Sequence, residues 1–121
     1  IKRLVDKGYR LVMVTNQTFL GTPKHPREIF DQVMQKIDDD FAKHAIQFEF
    51  KMICPHGPDE GCNCRKPQIE GLKDFLQTHE VDFDHSFMFG DRTTDDEFAK
   101  NLGVRFVKIN TNEKFVVPED I

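Results

Sequence analysis

The apolar positions of this chain change period several times. Ile1, Leu4 and Val5 have helical spacing, and Gly8 closes it. Residues 11–14 are an apolar run rich in β-branched side chains, the pattern of a strand buried on both faces. Ile29, Phe30, Val33, Met34, Ile37 and Phe41 then recur at helical spacing, with Pro26 suited to the start of the helix. The stretch IQFEFKMIC alternates and then turns apolar, which predicts a second strand. A polar loop follows. Pro67 opens a further helical pattern, with Ile69, Leu72, Phe75 and Leu76 on one side. SFMFGD predicts a strand, TDDEFAKNLG a helix closed by Gly103, and VRFVKI a last strand. The tail from Asn110 carries no clear period.

The order is therefore helix end, then strands and helices in alternation. That predicts an α/β fold, an open, mostly parallel Rossmann-like sheet with helices on both faces. Ligands of such sheets sit outside the carboxyl ends of the strands. The distinctive polar segments fall there: TNQ after the first strand, CPH after the second and GDRTTD after the third. No linker or repeat interrupts the pattern, so residues 1–121 read as one domain, or part of one.

Composition narrows the function classes. A net charge of −4 gives no reason to expect nucleic acid as a partner. No apolar run approaches the ~20 residues a membrane helix needs, and no secretory signal is visible, so the expected compartment is the cytoplasm.

All of the cysteines lie in CPHGPDEGCNCRKP, with a histidine among them. An odd number of clustered cysteines is a poor disulfide framework. Cys54 and His56 form one pair, Cys62 and Cys64 another. Together they are a Cys₃His set, a complete tetrahedral shell for Zn²⁺. A complete shell leaves no position for water or substrate, so the expected zinc is structural. Gly57, Pro58 and Gly61 let the loop fold tightly. The alternative is a set of buried structural cysteines with a histidine nearby by chance.

Three other clusters could carry chemistry. Asp91 stands at a strand tip, where a carboxylate suits a hard cation such as Mg²⁺. Thr94 and Glu97 fit a capping box, and Asp95 and Asp96 suit the positive end of a helix. Asp91 precedes the helix, and capping does not explain it. VTNQ offers a hydroxyl and backbone N–H groups at a strand end, which suits phosphate. Lys66 follows the cysteine loop and could act as a point charge, though lone lysines usually face solvent. His25, His44, His79 and His85 receive no role. A hydroxyl, a cation and a carboxylate at successive strand ends suit phosphoryl transfer with Mg²⁺. No activated nucleophile accompanies them.

VTNQ, CPHGPDEGCNCRKP and GDRTTD with AKNLG together resemble the haloacid-dehalogenase-like phosphatases. More narrowly, they resemble the zinc-containing branch that includes histidinol-phosphate and heptose-bisphosphate phosphatases. The resemblance implies that Thr15 and Asn16 hold the phosphate, with Arg65 among the substrate-binding residues. It implies that Lys66 stabilises the developing charge, that Asp91 is catalytic and ligates Mg²⁺, and that Cys54, His56, Cys62 and Cys64 ligate structural Zn²⁺. The substrate would be a small phosphorylated metabolite.

The family's nucleophile lies in a D-x-D-G-T motif on the first, central strand. Nothing like it occurs here. The helix end at Ile1 fits a chain whose first strand lies upstream, and a chain lacking it is expected neither to hydrolyse phosphate esters nor to fold cooperatively. Within the branch, Leu20, Gly21, Thr22 and Pro26 favour hydrolysis of histidinol phosphate, a step of histidine biosynthesis. Some such enzymes carry a C-terminal dehydratase domain. Phe19 departs from the pattern, standing where glycine is usual, and needs different backbone angles or more room. The alternatives are a sugar-phosphate phosphatase of the heptose type and an inactive zinc-stapled binding module.

Overall fold

The computed structural model describes residues 1–57, 61–110 and Pro118. The elements are α1 (Lys2–Asp6), β1 (Leu11–Asn16), α2 (Arg27–Ala42), β2 (Phe48–Cys54), α3 (Lys73–Thr78), β3 (Phe87–Gly90), α4 (Thr93–Leu102) and β4 (Arg105–Lys108). Short 3₁₀ turns lie at Glu70–Leu72 and Phe83–His85. The chain divides into two compact units, Ile1–Cys62 and Asn63–Ile121. Pro58 and the tail residues 111–117 and 119–121, about which the sequence pattern raises questions, lie outside the described residues.

In the first unit β1 and β2 pair in parallel, with α2 as the crossover. The register runs from Leu11 opposite Phe48 to Asn16 opposite Cys54, with one irregularity between Leu11 and Val12. The two strands thus end level. The Gln17 N–H donates to the Cys54 carbonyl at 2.7 Å and extends the ladder one rung past β1. β1 is half-buried along its whole length rather than buried on both faces, and in β2 only Met52 and Cys54 are buried.

Helix α2 buries a narrower stripe than its sequence predicts. Phe30 is buried, Met34, Ile37 and Phe41 are half-buried, and the Phe41 ring stacks on Phe48 at 5.3 Å. These four follow one line along the helix at i, i+4, i+7 and i+11. Ile29 and Val33 lie one residue earlier, on the flank, and stay half exposed at 56% and 50%. The expected single face of six residues is therefore four plus an exposed pair.

In the second unit β3 and β4 pair in parallel, Phe87 opposite Arg105 through Gly90 opposite Lys108, with α4 between them in the chain. Phe98 and Ala99 are the buried face of α4. Full burial of a side chain such as Phe98 contributes about 2–3 kcal/mol. Gly103 closes the helix with φ +86°, and its N–H reaches the Ala99 carbonyl at 2.9 Å, as a left-handed C-cap requires.

Two local expectations need correction. Pro67 does not open a long helix. Its carbonyl accepts a hydrogen bond from Asn101 Nδ2 at 2.9 Å, and the Gln68 N–H turns back to the Arg65 carbonyl at 2.9 Å. With those groups engaged, and Gly71 weakening the helix interior, regular α-helix begins only at Lys73. The capping box also differs from Thr94 with Glu97. The N-cap is Arg92, and Asp95 at N3 accepts the Arg92 N–H at 3.2 Å.

The parallel α/β alternation is present, and the strands among the described residues form two two-stranded sheets, β1 with β2 and β3 with β4. Each strand pairs with the strand its own helical crossover brings beside it. Between β2 and β3 the described residues hold the cysteine loop, α3 and short turns, with no strand to continue either ladder.

Candidate metal centre and strand-end residues

The four predicted metal ligands come together. Cys54 Sγ lies 3.5 Å from His56 Nδ1 and 3.5 Å from Cys62 Sγ. With Cys64, the ligand atoms of all four residues fall within 4.8 Å of one another. A tetrahedral zinc with Zn–S bonds of about 2.3 Å would hold its sulfurs about 3.8 Å apart, so the cluster has the right size. Local structure explains the placement. Cys54 is the last residue of β2 and fully buried, so its thiol is fixed by the strand. Gly61 adopts φ +67° immediately before Cys62, a backbone that favours glycine. The donor set fits a metal, and softness of three thiols with one imidazole favours zinc over a hard cation.

At the end of β1, Thr15 and Asn16 are half-buried. The Thr15 hydroxyl oxygen accepts a hydrogen bond from Gln17 Nε2 at 2.8 Å. Gln17 Oε1 in turn faces His25 Nε2 at 2.9 Å. The intervening turn is closed by backbone bonds from Gly21 N–H to the His25 carbonyl and from His25 N–H to the Thr22 carbonyl. Phe19 occupies this turn with φ +62°, so it adopts the backbone that a glycine would take. Phe19 is 38% exposed, and its ring carries Lys24 Nζ at 4.9 Å from its centre.

In the second unit Lys66 is not solvent-facing. Its Nζ lies 2.6 Å from Asp95 Oδ1, and the two side chains are 12% and 5% exposed. Asp95 uses its other oxygen to accept the Arg92 N–H, so the carboxylate is fixed from both sides. Gly90, the last residue of β3, makes room for it. A Cβ at this position would collide with the Asp95 side chain. Asp91 follows directly and is exposed, and Arg65, before Lys66, is half-buried.

Sequence reasoning placed Asp95 only as a favourable charge at a helix start, and gave Gln17 and His25 no individual role. The signal for Asp95 was its position at N3. Side chains of the first helical turn lean back toward the N-terminus, so Asp95 returns to the strand end it follows. No comparable signal marked His25, because a turn of unknown geometry set its partner.

Comparison with known proteins points to the family the motifs resemble. Residues 63–115 match a hydrolase family model described as "HAD-hyrolase-like". Over that segment the chain is similar to the haloacid-dehalogenase-like hydrolases. Among individual proteins, it is 44% identical over 97 residues to the histidine biosynthesis bifunctional protein HisB of Actinobacillus pleuropneumoniae serotype 3, covering 80% of this chain and 27% of that protein. It is 40% identical over 111 residues to the HisB protein of Buchnera aphidicola subsp. Schizaphis graminum, covering 92% and 31%. The chain thus spans about three-tenths of the length of these relatives. Among solved structures it resembles the D,D-heptose 1,7-bisphosphate phosphatase of B. bronchiseptica in complex with magnesium and phosphate. The TM-score is 0.76 at 28% identity, over 88% of this chain and 59% of that one.

Proposed function

We propose that the 121 residues are part of a single phosphatase domain. In the whole protein that domain hydrolyses histidinol phosphate to histidinol, a step of histidine biosynthesis. The observation that carries the reading is the buried Lys66–Asp95 pair directly after the four-ligand loop. A desolvated ammonium held by a carboxylate is a fixed positive charge, suited to an anionic ester. The substrate comes from the relatives, whose name places them in histidine biosynthesis.

In this reading Thr15 and Asn16 hold the phosphate oxygens, and Arg65 contacts the substrate. Lys66 stabilises charge as the phosphorus–oxygen bond breaks, and Asp91 serves the catalytic cation. That cation, Mg²⁺, would neutralise phosphate charge when bound. The attacking carboxylate, which would form a phospho-aspartate, is not among these residues. Cys54, His56, Cys62 and Cys64 hold a structural Zn²⁺ that fixes the loop before Lys66. The relatives are longer and bifunctional, which supports a further domain in the whole protein, and we read that domain as a dehydratase. No helix among the described residues is long and apolar enough to cross a membrane, and we place the protein in the cytoplasm.

A second reading is favoured by the B. bronchiseptica structure, a sugar-bisphosphate phosphatase. The test is phosphate release by a protein of the relatives' length that contains this segment. Histidinol phosphate should be turned over well ahead of D,D-heptose 1,7-bisphosphate. Preference for the heptose would install the second reading. Release from neither, with magnesium present, would favour an inactive zinc-stapled module.

A further inference from the structure

The turn after β1 contains a hydrogen-bond relay whose direction can be worked out atom by atom. The Gln17 side chain places its amide nitrogen on Thr15 Oγ1 at 2.8 Å and its carbonyl oxygen opposite His25 Nε2 at 2.9 Å. An amide nitrogen only donates, so Thr15 Oγ1 accepts. An amide oxygen only accepts, so His25 Nε2 must carry a proton. The Thr15 hydroxyl then has its own O–H left to donate. Among the described residues it donates to no other side chain.

We propose that His25, acting through Gln17, is a positioning residue that keeps the Thr15 hydroxyl a donor toward a phosphate oxygen. This rests on the reading of Thr15 as a phosphate-binding residue. Without the His25 proton the Gln17 amide has no reason to keep its oxygen turned outward. A flipped amide would present its oxygen to Thr15, capture the hydroxyl proton and leave phosphate facing lone pairs. Several features hold His25 in place. Its backbone is bonded on both sides, to Gly21 and Thr22. Its ring meets the buried Phe30 edge-on, with centroids 5.9 Å apart. Leu20, at the other side of the turn, is buried. Gln17 is pinned by its backbone bond to the end of β2. The relay thus joins a rigid turn to one hydroxyl at a strand end.

The test uses the protein of the relatives' length, with inorganic phosphate as a competitive inhibitor of ester hydrolysis. His25→Phe keeps a ring against Phe30 and removes the donor. One lost hydrogen bond corresponds to about fivefold, so kcat/KM should fall and the phosphate inhibition constant rise by about that factor. His25→Gln, which again offers an N–H donor, should restore both. In a Thr15→Val background, His25→Phe should add nothing. In ¹H–¹⁵N spectra, neutral His25 should carry its proton on Nε2. If His25→Phe costs as much with Val at position 15, or if His25 is protonated on Nδ1 only, the relay is overturned while Thr15 keeps its role. If Thr15→Val leaves phosphate inhibition unchanged, the reading of Thr15 falls and the relay with it.

Discussion

Among single residues, Phe19 stands out by its backbone. At φ +62° it takes on a left-handed backbone that costs a non-glycine residue roughly 1 kcal/mol or more. The cation–π contact with Lys24 offsets part of that, about 0.5 kcal/mol at an exposed site. Replacing Phe19 by Ala should lose the contact and keep the strain, whereas Phe19→Gly should lose both. Chemical denaturation should therefore rank Phe19→Gly above Phe19→Ala in stability by about 1 kcal/mol. The opposite order would mean that the turn relaxes around the side chain. Asp95 is the other decisive residue. Asp95→Asn keeps the shape and removes the charge opposite a Lys66 that is 12% exposed. Breaking a buried pair from one side costs about 3 kcal/mol, so the melting temperature should fall clearly. An unchanged melt would show that Lys66 swings out to water at little cost. Gly90→Ala should act on the same pair sterically, since the added methyl meets Asp95, with a cost of about 1–3 kcal/mol.

Among the elements, the cysteine loop and the end of α4 at Gly103 were the most legible in the sequence. The loop declares itself because metal ligands are few residue types at short spacing, and chemistry rather than packing brings them together. Cys62→Ser should lower bound zinc below one per chain and lower stability, as read by metal analysis and a thermal melt. Zinc retained at one per chain would break the ligand assignment. Chelation of the wild type should reproduce the loss of stability, because binding energy at such a site is folding energy. Gly103 was readable for a similarly local reason, a helix end that needs positive φ. The helix after Pro67 was not. Whether Pro67 starts a helix depends on what its carbonyl bonds to, and Asn101 lies far along the chain. The width of the α2 stripe was equally hidden, since periodicity marks which positions can be buried but not how far a neighbour reaches around the helix.

At the scale of the molecule, the strands among the described residues form two pairs, β1 with β2 and β3 with β4. An isolated two-stranded sheet is marginal in water. The 121-residue chain by itself should therefore melt broadly and release no phosphate from histidinol phosphate. A sharp two-state melt with measurable hydrolysis would overturn both the expected central strand and the assignment of the nucleophile outside these residues.

The sequence by itself determined the alternation of strands and helices, the four-ligand loop and the polar strand ends. These depend on local period and on residue chemistry, which a linear chain displays. Only the tertiary structure decided that Lys66 is a buried partner of Asp95 rather than a surface lysine. Only it showed that Phe19 takes a glycine's backbone and that Gln17 and His25 stand behind Thr15. Those facts depend on where side chains distant in sequence converge, and on which lone pair each donor reaches.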